Sequence, residues 1–116
     1  MEKEIIVISL DFIFGPIGKD YKNEKGEEIT GVKIIDEDAA AQSLDHEINE
    51  LWCSLWSKDD TSDSGVKFDE KGEKKLAPQL LDLITKLISR LNEINDGSFE
   101  IEDMVTDYLK KLIKQS

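Results

Sequence analysis

The chain opens with a pattern of period two. Residues 4–14, EIIVISLDFIF, are rich in β-branched and aromatic side chains, and Ile6, Ile8, Leu10, Phe12 and Phe14 share one face when alternate residues are taken. That is the signature of a half-buried strand. The GPIG of residues 15–18 ends it with a proline between glycines. Polar residues 18–28 read as a loop or hairpin tip, and ITGVKIID (29–36) reads as a second strand, antiparallel to the first.

After residue 36 the apolar period becomes helical. Ala40, Leu44, Ile48, Leu51 and Leu55 recur at helical spacing, with the acids of Asp36, Glu37 and Asp38 at the favourable N-terminal end. SKDDTSDSG (57–65) has loop composition, and VKF (66–68) is a short strand or part of that loop. A second helix follows with Pro78 in its first turn and a stripe of Leu80, Leu83, Ile84, Leu87, Ile88, Leu91 and Ile94. Gly97 is placed for a left-handed stop. Ile101, Met104, Val105, Tyr108, Leu109, Leu112 and Ile113 then continue a helical repeat, acidic at its start and basic at its end.

The predicted fold class is therefore α+β: an N-terminal antiparallel β-hairpin or small sheet packed against three amphipathic helices. The 116 residues form a single domain, with strands at about 4–14 and 29–36, helices at about 38–56, 76–95 and 100–114, and a loop at 57–75. One edge of so small a sheet is left open to pairing.

Charge narrows the function. The net charge is -11, from 26 acids and 15 bases. Such a chain repels phosphate backbones, which excludes nucleic-acid binding, and its field attracts a basic partner. The apolar N-terminal run is interrupted by Asp11, is too short to span a membrane and lacks the marks of a signal peptide. A single cysteine forms no internal disulfide. The expected compartment is the cytoplasm.

The stretch DHEINELWCSLW (45–56) holds the chain's one histidine, one cysteine and both tryptophans. His46, Glu50 and Cys53 are close at i, i+4, i+7 on a helix, but they fall opposite the Leu44/Ile48/Leu51/Leu55 stripe, on a solvent face with no supporting cluster. Neither zinc binding nor a Cys–His nucleophile is expected there. Trp52 belongs to the core, whereas Trp56 lies further round as a partly exposed anchor. No Walker loop, dinucleotide fingerprint or calcium loop is present. The expectation is a non-enzyme without cofactor or metal, of open oligomeric state.

Two segments, IIDEDAAAQSLDHEINELWCSLWS and LISRLNEINDGSFEIEDMVTDYL, cover about half the chain. They resemble immunity proteins of bacterial contact-dependent growth inhibition systems. The resemblance implies a cytoplasmic protein that binds one cognate toxin domain, often a basic nuclease, and occludes its active site. It carries over no site residue. From the sequence itself, the candidate partner surface is Asp36, Glu37, Asp38, Trp56, Asp59, Asp60 and Asp63. An 18-residue helix would separate its two halves by about 27 Å, and the half near Trp56 is preferred. The alternatives are a phage-type nucleic-acid mimic that inhibits a restriction or CRISPR nuclease, disfavoured by interspersed lysines, and a small structural adaptor that uses the open sheet edge.

Overall fold

The computed structural model describes residues 3–10, 16–19, 21–58, 61 and 65–115. The fold is α+β. In chain order its elements are β1 (Glu4–Ile8), β2 (Tyr21–Lys22), β3 (Glu28–Ile29), α1 (Lys33–Asp36), α2 (Ala39–Cys53), β4 (Trp56–Lys58), β5 (Val66–Phe68), α3 (Glu70–Ile94), β6 (Phe99–Asp103) and α4 (Thr106–Gln115).

The principal sheet pairs β1 with β6 in parallel, from Glu4 opposite Phe99 to Ile8 opposite Asp103. On the other side of β1 the chain returns antiparallel: Ser9 N–H donates to the Pro16 carbonyl and Gly18 N–H to that of Val7 (both 2.9 Å). One face of this layer contributes Ile6, Ile8, Ile17 and Phe99 to a single buried cluster. The helices supply most of the rest: Ile35 from α1, Ala41, Ile48 and Trp52 from α2, Ala77, Leu80, Leu83, Ile84, Leu87 and Leu91 from α3, and Leu109 and Leu112 from α4, with Val32, Leu55 and Val105 added from the connections.

The predicted partner of β1 is thus corrected. The 29–36 segment divides into the short strand β3, which pairs with β2, and the single turn α1. The break falls at Gly31, whose φ of 82° is left-handed and whose α-carbon lies under the Tyr21 ring; a Cβ there would sit 2.5 Å from Tyr21 Cδ2. Residues 99–103, where the sequence places the start of the last helix, form a strand through parallel pairing with β1, with Phe99 and Ile101 on the inner face and Glu100 and Glu102 on the outer. The Asp103 carboxylate then accepts the N–H groups of Val105 (2.9 Å) and Thr106 (3.0 Å), which opens α4.

The predicted loop 57–75 also gives way. It contains the β4–β5 hairpin, and α3 starts at Glu70 with Asp69 as its cap. The Gly72 N–H donates to Asp69 Oδ1 (2.9 Å), and a Cβ on Gly72 would lie 2.5 Å from Asp69 Oδ2 and 2.9 Å from Leu55 Cδ2. Glycine here permits a tight cap, although it reads in sequence as a helix breaker. Pro78 consequently lies inside the helix and not in its first turn. The predicted 4–14 strand ends at Ile8; residues 11–15 are outside the described set.

The buried face of α2 is rotated from the predicted stripe. It runs Ala41, Asp45, Ile48, Trp52, with Leu44 and Leu51 half-buried and Ala40 exposed. On a helical wheel that is a turn of roughly 60°. The rotation puts Asp45 in the interior, where Oδ1 accepts the Ile17 N–H (3.0 Å) and Oδ2 the Lys19 ammonium (2.8 Å). This clamp fastens the returning segment beside β1 to α2. Replacing Asp45 with alanine removes the carboxylate that holds the half-buried Lys19 and the buried Ile17 amide. The expected loss in urea unfolding at neutral pH is about 3 kcal/mol; a loss under 1 kcal/mol would show that the clamp is incidental.

Candidate partner-binding surface

The acids selected from the sequence divide by what they already hold. Asp36 closes its own turn: Oδ1 accepts the Thr30 N–H (2.9 Å) and hydroxyl (2.8 Å), and Oδ2 the Gly31 N–H (3.2 Å). Asp38 caps α2 through the Ala41 N–H (2.8 Å) and grips Arg90 of α3 with two bonds of 2.6 and 3.0 Å. The Arg90 guanidinium holds the Asp38 carboxyl below the usual carboxylate range, and the Ala41 N–H adds to this against the effect of burial. Glu37 is exposed and meets Lys33 only at 4.0 Å. Asp36 and Asp38 therefore serve the fold first. Asp59, Asp60 and Asp63 lie outside the described residues.

Trp56 is half-buried on β4. Its ring packs on Phe68 of β5 with centroids 4.9 Å apart, and Trp52 packs on Phe68 at 5.2 Å. Phe68 thus bridges the two tryptophans and seats the hairpin on α2 with tilted aromatic contacts. Trp52 is in the core, as the helical spacing indicates.

From this row the surface extends in two directions. Beyond Phe68 lies an open hollow of about 620 Å³ lined by Ser57, Lys67, Phe68, Asp69, Glu70 and Lys71. The two lysines flank the Asp69–Glu70 pair, so this wall is not a string of phosphate-like charges. Beyond Trp52 lies a hollow of about 320 Å³ lined by Ser9, Leu10, Trp52, Met104, Val105 and Tyr108. Met104 is 60% exposed and Tyr108 45%, although both follow the sequence pattern of core residues. Apolar side chains presented together at a concave surface are the usual substance of a protein contact.

Tyr108 also reaches inward. Its hydroxyl donates to Glu73 Oε2 (2.6 Å) on α3, and Glu73 is only 5% exposed. Sequence reasoning passed over Glu73, Tyr108 and Met104 because each fits a helical stripe or a charged run. The signal for Glu73 was its position four residues before Ala77 and seven before Leu80, on the buried face of α3. Among the described residues no group of histidine, cysteine and acidic side chains is placed to hold a metal ion. His46 and Glu50 form an exposed i,i+4 pair at 3.0 Å, and Cys53 is half-buried with Sγ donating to Asn49 Oδ1 (3.6 Å). Among the described residues no helix is long and apolar enough to cross a membrane.

Comparison with protein-family models, curated proteins and solved structures finds no match to this chain.

Burial pushes the Tyr108 phenol up to about 12, and its bond to the Glu73 carboxylate and the charge of Glu70 act in the same direction. A folded-state value above the unfolded value of about 10 means that the stabilisation is complete below pH 10 and is lost as pH rises toward 12. Spectrophotometric titration should show one phenol ionising near pH 12, absent in Tyr108→Phe. If the variant leaves the late phase unchanged, the Tyr108–Glu73 bond is not formed as described.

Proposed function

We propose that this chain is a neutralising binder of a basic protein, of the toxin-immunity kind: it docks on a cognate toxin domain, a nuclease by preference, and occludes the electropositive site that holds phosphate. The observation that carries the proposal is the exposed pair Met104 and Tyr108 at the hollow floored by Trp52, with half-buried Phe68 beside exposed Asp69 and Glu70 at the neighbouring hollow, in a chain of net charge -11. The apolar groups provide desolvated contact area, and the acids steer a basic partner and fix its register.

Two of the selected acids, Asp36 and Asp38, have internal duties, so the surface shifts toward α3 and α4. Trp56 takes part through Phe68, as a support of the surface.

The gene immediately upstream is expected to encode a large protein that ends in a basic domain, and the test pairs the full chain with that domain. The expected result is a one-to-one complex in which the domain's nuclease activity is lost. Met104→Lys should weaken the complex by about tenfold, at the scale of an interface anchor, without loss of fold. A domain that stays fully active in the presence of excess chain overturns the proposal.

A further inference from the structure

Among the described residues no helix packs on the second face of the β1–β6 sheet, and much of that face is exposed. Ile5 is 57% exposed, Val7 is half-buried, and Glu100 and Glu102 are exposed. Register sets Ile5 beside Glu100 and Val7 beside Glu102. The face therefore carries an apolar column on one strand and an acidic column on the next. At its far end, Ser9 and Met104 lead into the hollow lined by Trp52 and Tyr108. Parallel strands are ordinarily covered on both faces, in most cases by helices, because their outward residues are apolar on both sides. Here the inner face is covered by helices of this chain, whereas among the described residues no helix covers the outer face.

We infer that this outer face is a docking surface for an amphipathic helix of a basic partner, with the helix's apolar stripe over Ile5, Val7 and Met104 and its lysines or arginines over Glu100 and Glu102. The inference rests on the reading of the chain as a binder of a basic protein, and it names the element of the partner that is bound. Charge complementarity selects this occupant. A second copy of the chain brings the same acidic column and a further charge of -11 to the contact, and isologous pairing sets like charge near like charge. The cation already nearby, Lys3, meets Glu100 only at 3.9 Å, with both side chains more than half exposed. So loose a surface pair is readily displaced.

The test uses the full, isotope-labelled chain and a synthetic helical peptide of about 15 residues, roughly 22 Å long, which spans strands of this length. The peptide has leucine on one face and lysine on its flanks; a control carries glutamate in place of lysine. Saturable binding is expected, with amide shifts concentrated at Ile5, Val7, Glu100, Glu102 and Met104. The double variant Glu100→Lys/Glu102→Lys should weaken binding at least tenfold with its thermal midpoint unchanged, and Ile5→Ser should do so with the charges intact. Equal affinity for the charge-reversed chain, a footprint elsewhere, equal binding of the acidic peptide, or self-association through this face overturns the inference. Neutralisation of the upstream-encoded domain that is unaffected by Glu100→Lys/Glu102→Lys overturns this inference alone, whereas absence of any complex with that domain overturns the underlying reading.

Discussion

The parallel pairing of β1 with β6 is the constraint on which the rest of the molecule depends. It joins residues 4–8 to residues 99–103, across almost the whole described chain. Everything between must leave the sheet and return with the same polarity, which a parallel pair demands of its connection. The pairing is closed at both ends by Glu4 N–H to the Ser98 carbonyl (3.2 Å) and Met104 N–H to that of Ile8 (2.9 Å). At the second of these closures Asp103 starts α4, so the direction of the last helix, and with it the placement of Met104 and Tyr108, follows from the strand register.

A chain with so large a negative charge must also spread or engage its carboxylates, because self-repulsion opposes compaction. The structure does both. Asp36, Asp38, Asp45, Asp69 and Asp103 each bind backbone N–H groups, and Asp38 and Asp45 add a cation. These acids fix turns and helix starts at Thr30, Ala41, Ile17, Gly72 and Val105. Glu37, Glu50, Glu100 and Glu102 remain exposed. The division has a physical basis: the short aspartate side chain reaches nearby backbone in turns and caps, whereas glutamate extends into solvent or across to another element. Glu73, buried against Tyr108, is the exception that links α3 to α4.

Much of this was legible in the sequence. The apolar stripe of α3 from Leu80 to Leu91 reads directly from helical periodicity, and so do the first strand, the core position of Trp52 and the α+β class. What was missed has identifiable causes. Phe99 and Ile101 fit a strand as well as the first turn of a helix, since two apolar residues cannot separate the periods. The choice was made by pairing with β1, a contact no local pattern contains. The start of α3 lay hidden in the segment read as loop because the tight placement of Gly72 beside the Asp69 cap depends on Leu55, a neighbour only in the fold. Asp45 reads as a surface acid because a helical wheel places the stripe but not the partner that turns it. The candidate site was less legible still: Asp36 and Asp38 have the charge of interface residues but internal partners, whereas Met104 and Tyr108 have the pattern of core residues but stand exposed.

The central claim is that an acidic surface with an apolar centre draws in and holds a basic protein. Stopped-flow association of the full chain with the upstream-encoded basic domain, followed as ionic strength rises, tests it most directly. With a Debye length of about 10 Å at 0.1 M salt, steering is lost as salt is added, while contacts formed after docking change little. The account predicts an association rate that falls at least tenfold between low and high salt, with a nearly constant dissociation rate. An association rate indifferent to salt would contradict it.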